Sequence, residues 1–312
     1  MNGEEHWPEL PWQAEAAENA ALAQGQTMSQ EVRLNLHQAR RIETHFDFGT
    51  VVAHRWSNDQ SPHLPPVVLF HGGSGSWTHW VKNIAALVDA GHTVWALDLP
   101  GFGASDAPPQ VVDADGMLPW IAAWLEQNFP LQAVRLVGFS FGGMTAVMLA
   151  ACYPHLVAQL CVVGAPGMGL KARPRVQLKG WRHLQDPELQ LQHHIYNLQA
   201  LMVRNADLID KDMVSLHVAN VRRDRLPRRR ISSTDVVLRH LPQVQCPVMA
   251  IYGEFDALYP AMLDEVEALM ASHSSNWHGL HRVPQAGHWV QYEQAPAFHA
   301  VLLPWLQKSL GT

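Results

Sequence analysis

Short apolar runs rich in β-branched residues recur along the chain, and turn residues close each of them. Segments with helical periodicity lie between most of these runs, among them 80–91, 117–129 and 142–154. Continuous apolar strands that alternate with helices are typical of a parallel sheet covered on both faces, so the pattern predicts an α/β fold with a mainly parallel sheet flanked by helices. The predicted strands with their closing turns are 50–56, 66–73, 92–101, 134–140, 158–167, 247–256 and 281–288.

The alternation stops after Gly167. From there to about residue 240 the chain is polar and helical in pattern, and it contains no strong strand. Connections between strands are usually short, so this excursion is too long for a simple crossover, and we interpret it as a helical insertion over one edge of the sheet. The predicted organisation is a partly helical N-terminal arm outside the main core at 1–40, a core domain at 41–167 and 241–312, and a helical cap, or lid, at 168–240.

The composition is that of a globular chain. Hydrophobic residues make up 47% of the 312 residues and charged residues only 16%, which is too apolar for a disordered chain. No apolar run approaches the roughly 20 residues that a membrane helix needs. The acidic N-terminus lacks the basic start and apolar centre of a secretory signal. We therefore expect a soluble, cytoplasmic protein without a membrane span.

The charge of the chain limits its partners. A formal net charge of −6 argues against a general affinity for nucleic acid, so no nucleic-acid partner is expected. The segment 222–230, RRDRLPRRR, is a local exception. Such runs are usually solvated surface, and the alternative is a site for an anionic substrate or partner.

Cysteines and glycines give no sign of a bound metal or nucleotide. Cys152, Cys161 and Cys246 lie in or beside apolar stretches, without the short spacing of metal ligands, and we interpret them as core residues. The glycines around residue 140 lack the lysine of a phosphate-binding loop and the spacing of a dinucleotide turn. We predict no cofactor and no metal.

Ser140 stands in the segment GFSFGG, between a predicted strand and a predicted helix. This is the context that the nucleophile-elbow pattern G-x-S-x-G requires. Side chains at Gly138 and Gly142 would collide with the neighbouring strand and helix in so sharp a turn. The amide groups at the start of the following helix would favour negative charge beside the serine. Ser140 is therefore the predicted nucleophile.

A serine nucleophile needs a base and a residue that orients the base. His288 follows the last predicted strand in AGHWVQYE, and Asp256 lies in the turn after the preceding strand in YGEFDALYP. Both are expected at the carboxyl edge of the sheet, as is Ser140. We predict His288 as the base and Asp256 as the orienting acid. Glu254 competes for the acidic role, but Asp256 lies further into the loop.

An acyl-transfer site also needs backbone amides that stabilise the tetrahedral oxyanion. One predicted donor is the residue after the nucleophile, Phe141. The other is Gly73 in HGGSGSWTHW, where the absence of a side chain leaves room for a substrate carbonyl. His71 in the same segment is interpreted as a structural residue that bonds the loop in place.

Five segments together resemble the α/β-hydrolase family, from about residue 41 to the C-terminus. They are HGGSGSWTHW, DLPGFGASD, GFSFGG, YGEFDALYP and AGHWVQYE, in the order that the family has them. The resemblance implies a Ser140, Asp256 and His288 triad with Gly73 and Phe141 as the oxyanion hole. It also implies that Asp98, Gly101 and Gly103 form a turn and take no part in catalysis.

The fold does not fix the substrate, and several reactions stay open. The leading hypothesis is hydrolysis of a small, largely apolar carboxylic ester through an acyl-serine intermediate. The alternative is a carbon–carbon bond hydrolase of vinylogous 1,5-diketone ring-fission products. That group resembles this chain in its cap and in its His-Trp pair, and Arg222 or Arg223 would bind the substrate carboxylate. It has an amide side chain just before the nucleophile, where this chain has Phe139.

Two further hypotheses about function are compatible with the same fold. A cofactor-free peroxidase is compatible with the sequence, and so is a small-molecule receptor without turnover, although this chain carries all three triad positions. Trp289 beside the base is the predicted substrate contact, and Trp77 and Met168 are weaker candidates for an apolar pocket. The expected partner is a small-molecule substrate, and the oligomeric state is left open, a homodimer included.

Overall fold

Eight strands form one sheet in the part of the chain that the computed structural model describes, residues 16–58, 64–170 and 176–308. The strands are β1 Arg40–Phe46, β2 Gly49–Trp56, β3 Val67–Phe70, β4 Val94–Leu97, β5 Val134–Phe139, β6 Val157–Val163, β7 Val248–Gly253 and β8 Trp277–Val283. Their order across the sheet is β1-β2-β4-β3-β5-β6-β7-β8. The strand β2 pairs antiparallel with β1 and β4, and the other neighbours are parallel. The predicted mainly parallel sheet is confirmed.

Helices cover both faces of this sheet. They are α1 Ala16–Ala23, α2 Gln30–Gln38, α3 Ile84–Asp89, α4 Ala114–Asn128, α5 Phe141–Cys152, α6 Pro187–Asn197, α7 Lys211–Arg222, α8 Val236–His240, α9 Leu263–His273, α10 Val290–Glu293 and α11 Ala295–Gln307. No helix of the described ranges has the length and apolar character needed to cross a membrane.

Alternate residues of each central strand serve two separate cores. In β3, Val68 and Phe70 join the cluster beneath α4, α5 and α9, whereas Val67 and Leu69 join the cluster on the opposite face with α3 and α11. All four residues of the strand are fully buried. This two-sided burial is why the central strands read as continuous apolar runs in the sequence.

The N-terminal arm packs more closely than the sequence predicted. Leu22 and Ala23 of α1 are fully buried and belong to the same cluster as α3 and α11. The helix α1 lies against α6 and α7. The expectation that the arm lies outside the core is therefore wrong for α1, because its alanine-rich sequence carries too little apolar periodicity to reveal a buried face.

The described residues of 168–240 contain helices and irregular segments but no strand. Their two ends meet, since the Val237 amide donates to the Gly167 carbonyl at 3.0 Å and the Gly169 amide donates to that of Thr234 at 3.1 Å. The helix α8 packs on α5 and joins its cluster. The last residues of the predicted cap range therefore contribute to the core beneath α5.

The two edge strands differ from the sequence prediction. The strand β1 was missed because its residues, RRIETHF, are mostly exposed or half-buried and form no apolar run. The last strand, predicted with its closing turn at 281–288, begins earlier, at Trp277, and ends at Val283. An edge strand has one open side and needs fewer apolar residues, which weakens its sequence signal.

The cysteines follow the core prediction at two positions of three. Cys161 and Cys246 are buried and free, whereas Cys152 is exposed at the end of α5. Helix ends lie at the surface more often than strand centres do, so an apolar neighbourhood in the sequence did not place Cys152 inside.

The start of α5 lies directly against the end of β3. A side-chain carbon added at Gly142 would lie 2.4 Å from the His71 carbonyl oxygen and 2.7 Å from that of Phe70. Both of those atoms belong to the backbone, which cannot move aside as a flexible side chain would. Glycine is therefore required where this helix crosses the sheet.

We predict that Gly142→Ala lowers the free energy of unfolding by about 1–3 kcal/mol, the usual cost of overpacking, because the methyl group pushes α5 away from β3. Urea unfolding of the purified variant measures the loss. The matched control is Gly116→Ala in α4, where the added carbon meets the Val111 side chain at 3.3 Å. The control should be neutral or slightly stabilising, since alanine favours helices over glycine. Equal stability of both variants would contradict this packing argument.

Several histidine rings are buried as neutral groups. Burial lowers the pKa of the His54, His71, His92 and His217 rings to about 4. His92 is fully buried between α3 and β4, and neither of its ring nitrogens has a hydrogen-bond partner among the described residues. Nearby Arg135 lowers its pKa further.

Such histidines make the fold sensitive to acid. A folded-state pKa of about 4 lies below the unfolded value of 6.5, so the stabilisation is complete above pH 6.5 and is lost as the pH falls towards 4. In His92→Leu, the slope of unfolding free energy against pH between pH 5 and 6 should decrease by up to about 1.4 kcal/mol per pH unit, one proton's worth. Urea titrations at several pH values measure the slope. A slope equal to that of the wild type would show that His92 titrates normally in the folded protein.

Candidate active site

Ser140 lies in a strained turn between β5 and α5. Its φ is +52° and its ψ is −118°, a conformation that residues with side chains seldom adopt. The Ser140 amide donates to the Val163 carbonyl at 2.7 Å, which fixes the turn against β6. A side-chain carbon at Gly138 would lie 2.4 Å from the Gly142 carbonyl oxygen. A side chain at Gly138 would therefore collide with the backbone, as the sequence predicts.

The side chains of Ser140, His288 and Asp256 form one hydrogen-bonded chain. The Ser140 hydroxyl donates to His288 Nε2 at 2.9 Å, and His288 Nδ1 donates to both Asp256 oxygens at 3.0 and 2.9 Å. Asp256 is fully buried and His288 is nearly so. Because the Asp256 carboxylate accepts the Nδ1 hydrogen, the neutral ring has no proton on Nε2. In this tautomer Nε2 can accept the proton of the serine hydroxyl.

The two acidic candidates have different surroundings. Asp256 lies in the turn after β7, where its Oδ1 accepts from the Leu258 amide at 2.9 Å. Glu254 is exposed and its carboxylate accepts from the Gln285 amide at 3.2 Å. The chain brings Asp256, and not Glu254, to the histidine.

A buried carboxylate holds the loop that carries His288. Glu293 in α10 accepts the Gly287 amide at 2.6 Å, the Arg204 amide at 2.9 Å and the Asn205 amide at 2.7 Å. These bonds join the residue before His288 to the segment that follows α6. No signal in the sequence indicated this role for Glu293.

Gly73 and Phe141 lie side by side near Ser140. A side-chain carbon added at Gly73 would lie 3.5 Å from the Phe141 Cβ. Neither backbone amide donates to another group in the described part of the chain. Phe141 opens α5, so its amide also carries the positive end of the helix dipole. Two free amides from separate loops are what a developing oxyanion requires.

His71 holds the loop that carries Gly73. Its Nε2 accepts from the Leu99 amide at 3.0 Å, and its Nδ1 donates to the Gly72 carbonyl at 2.8 Å. Burial lowers its pKa to about 4, so the ring is neutral and this pattern is fixed. The prediction that His71 is structural is consistent with these bonds.

Asp98 supports the same loop from the turn after β4. Its carboxylate accepts from the Trp77 amide at 2.7 Å and the Ala104 amide at 2.8 Å. Burial raises its pKa to about 6 in spite of these bonds. Gly101 and Gly103 have φ values of +87° and +51°, as the predicted turn requires.

His79 is a site residue that the sequence analysis missed. Its Nδ1 accepts from the Gly72 amide at 3.1 Å, and its carbonyl accepts from the Trp289 indole at 3.1 Å. Burial lowers its pKa well below the usual range, so the ring is neutral with its proton on Nε2. Its position in HGGSGSWTHW, close to Gly73, was the available signal.

A cavity of about 500 Å³ adjoins these loops and reaches Gly73 and Ser74. Ser140 is half-buried and is not part of the cavity wall. The apolar wall residues are Leu178, Trp181, Leu201, Met202 and Val221. The basic or imidazole-bearing ones are His79, Lys179, Arg182, His183 and His217. No carboxylate of the described residues lines the cavity.

None of the three residues predicted for an apolar pocket, Trp289, Trp77 and Met168, lines this cavity. Trp289 is fully buried, stacks on Tyr292 at 4.3 Å between ring centres and does not line the cavity. The indole donates to the His79 carbonyl, and its role as a substrate contact stays a prediction. Trp77 lines a second cavity of about 290 Å³ beside the N-terminal arm, and Met168 is buried in the core beneath α5.

The arginines proposed for a substrate carboxylate also lie away from the first cavity. The Arg222 side chain donates to the Ala23 carbonyl at 2.6 Å and to Gln190 at 2.9 Å, which ties α7 to α1 and α6. Arg223 is exposed and lines the second cavity. Another member of the run, Arg229, lies beside Gly73, since a carbon added there would be 3.5 Å from its Nη2.

The sequence matches the family model of the alpha/beta hydrolase fold over residues 65–295. It is similar to a 2-hydroxy-6-oxo-6-phenylhexa-2,4-dienoate hydrolase of Burkholderia cepacia, with 28% identity over 257 residues that cover 77% of this chain and 87% of the relative. A 2-hydroxy-6-oxononadienedioate/2-hydroxy-6-oxononatrienedioate hydrolase of Pseudomonas sp is 26% identical over 256 residues, which cover 78% of this chain and 88% of the relative.

A solved structure shares the fold. Carboxylesterase CesB (YbfK) from Bacillus subtilis aligns with a TM-score of 0.70 at 17% identity, and the match covers 94% of this chain and 99% of that one. The resemblance drawn from the sequence motifs is confirmed: the chain belongs to the α/β-hydrolase family.

Proposed function

We propose that this α/β hydrolase cleaves small, largely apolar carboxylic esters through an acyl-serine intermediate. The observation that carries the proposal is the chain of short hydrogen bonds from Ser140 through His288 to Asp256. The Ser140 end of this chain adjoins Phe141, which lies beside Gly73. In this proposal the nucleophile, the base, the orienting acid and the oxyanion donors act together on one carbonyl carbon.

The proposed reaction has two halves. Ser140 Oγ attacks the ester carbonyl and gives its proton to His288 Nε2, while the Gly73 and Phe141 amides stabilise the oxyanion. The imidazolium returns the proton to the leaving alkoxide, so an alcohol departs and an acyl-serine remains. A water molecule, deprotonated by His288, then attacks the acyl carbon. As the bond from the acyl carbon to Ser140 Oγ breaks, the imidazolium returns the proton to Oγ, which releases the carboxylic acid and restores Ser140.

The apolar side chains of the cavity wall support an apolar acyl or alcohol group. Leu178, Trp181 and Leu201 offer surface without hydrogen-bonding demands, apart from the indole nitrogen. The residue before the nucleophile, Phe139, is buried, and its ring lies 5.0 Å from that of His288. It offers no donor for a polar substrate group, which favours the ester over the diketone acid.

A carbon–carbon bond hydrolase is the second candidate, and the charge of the cavity wall favours it. Lys179 and Arg182 both line the cavity, and no carboxylate is among its described lining residues. A substrate with a carboxylate would be attracted there. The names of the two relatives describe 2-hydroxy-6-oxo acids, which are of this kind.

We predict that the purified protein hydrolyses p-nitrophenyl esters, acetate through decanoate, and that Ser140→Ala abolishes the turnover because the nucleophile is lost. Release of p-nitrophenol measures the rates, and the preferred chain length measures the space available to the acyl group. A 2-hydroxy-6-oxo dienoate is tested in parallel. Strong cleavage of that acid with feeble ester turnover would replace the ester proposal by the carbon–carbon one. Failure of a fluorophosphonate to label Ser140 would favour a receptor without turnover.

We predict that Asp256→Asn lowers kcat by about 10⁴-fold, by analogy with serine proteases, because the amide no longer holds the working tautomer of His288. The matched control is Glu254→Gln, which should stay close to the wild-type rate since Glu254 is exposed. Steady-state kinetics of both variants on the best ester decide between them. A larger loss in the Glu254 variant would assign the acidic role to that residue.

A further inference from the structure

Ser74, the residue after the proposed oxyanion donor Gly73, has an unusual backbone. Its φ is +52°, in the left-handed region that residues with side chains seldom adopt. Such a conformation persists where surrounding contacts hold it. Because Ser74 follows Gly73 directly, the contacts that hold Ser74 also restrict the position of Gly73.

A buried ion pair from another part of the chain holds Ser74. The Ser74 hydroxyl donates to Asp224 Oδ2 at 2.5 Å, and Arg229 Nη2 donates to the Ser74 oxygen at 3.1 Å. Arg229 also donates to Asp224 through both terminal nitrogens, at 2.8 and 3.0 Å. The three side chains form a closed triangle of hydrogen bonds.

The guanidinium of Arg229 lies beside both residues that carry the proposed oxyanion donors. It lies 5.3 Å from the centre of the Phe141 ring, and a carbon added at Gly73 would be 3.5 Å from its Nη2. It lies 4.9 Å from the Phe102 ring on the same side and donates to the Leu226 carbonyl. The planar group is thus packed between the Gly73 loop and the start of α5.

The charge of Arg229 is used within the pair. Burial alone would raise the pKa of Asp224, but the hydrogen bonds and charge of Arg229 and the Ser74 hydroxyl hold it below its usual range. Asp224 is therefore ionised at neutral pH. The side chains of Arg229 and Asp224 are only 16% and 6% exposed, so the pair is shielded from solvent. A guanidinium so engaged positions its neighbours and is not available to a substrate carboxylate.

A second set of bonds ties the same loop to α7. Asn220 accepts from the Ser76 hydroxyl at 2.7 Å and donates to the Thr78 hydroxyl at 3.0 Å. The loop from Gly73 to Thr78 is thus attached at both ends to residues 220–229.

We propose that Asp224 and Arg229 are positioning residues of the oxyanion hole, which fix Ser74 and thereby the Gly73 amide relative to Phe141. This role rests on the proposed function, in which those two amides bind the oxyanion. Displacing a donor weakens the transition state more than the bound ester, so the pair acts on kcat and leaves KM almost unchanged.

The test compares Asp224→Asn, Arg229→Lys and Ser74→Ala with Arg228→Lys. Arg228 is an exposed neighbour in the same run and serves as the matched control. We expect kcat for a p-nitrophenyl ester to fall about 10- to 100-fold in the first three variants, as for a small displacement of a catalytic group, with KM little changed and the control at the wild-type rate. The rate at which a fluorophosphonate labels Ser140 should fall in parallel, because that reaction uses the same donors.

A double variant separates this role from a general loss of stability. If Asp224 and Arg229 act through Ser74, Ser74→Ala combined with Arg229→Lys should be no slower than the slower single variant. If instead the fold-losses in kcat of the two single variants multiply in the double variant, the positioning role through Ser74 is overturned. Thermal unfolding shows which variants are folded, and Ser74→Ala leaves the ion pair in place should the other two unfold.

The outcomes distinguish the two proposals. A wild-type chain without Ser140-dependent hydrolysis or labelling would overturn the proposed function and this role with it. A wild type whose activity depends on Ser140, with folded Asp224, Arg229 and Ser74 variants at the wild-type kcat, would overturn the positioning role alone.

Discussion

The backbone on either side of Ser140 approaches its neighbours so closely that only glycine fits at positions 138 and 142. Carbons added at Gly138 or Gly142 would lie 2.4 Å from carbonyl oxygens of the adjoining segments. Ser140 itself is held at a φ of +52°, a conformation that costs about 1–3 kcal/mol and persists only because β5, β6 and α5 are packed around it. This contact raises the hydroxyl above the sheet edge and turns the first amides of α5 towards it. The rest of the site is arranged relative to that turn.

Strand order brings the other groups to the same edge. The strand β5 lies between β3 and β6, with β7 and β8 beyond, and all five are parallel. Their carboxyl ends therefore meet, and the loops after β3, β7 and β8 carry Gly73, Asp256 and His288. Parallel strand order thus brings side chains that are far apart along the chain together at one edge, as is usual for sites in open α/β sheets.

The loops at this edge are held by groups with fixed protonation. Buried His71 and His79 are neutral, so each presents one acceptor to a backbone amide of the loops at this edge. The Glu293 side chain holds the His288 loop by accepting from the backbone amides of Gly287, Arg204 and Asn205. An unpaired charge is strongly destabilising when it is buried, and Asp224 and Arg229 neutralise one another by forming an ion pair. Rigid loops of this kind keep hydrogen-bond donors aimed at a reacting atom before the substrate arrives.

The sequence by itself determined the parallel sheet, the elbow at Ser140 and the order of Ser140, Asp256 and His288. Apolar runs, glycines and turns are local patterns, and they can be identified in the sequence without knowledge of the tertiary contacts of each segment. Tertiary structure decided the burial of α1, the edge strand β1, the bond from Trp289 to His79 and the position of Arg229, rather than Arg222 or Arg223, beside Gly73. The strand β1 pairs with its immediate neighbour β2, but the other features depend on partners distant along the chain: Ser74 and Asp224 are 150 positions apart. A side chain's neighbours are set by packing, which no local pattern encodes.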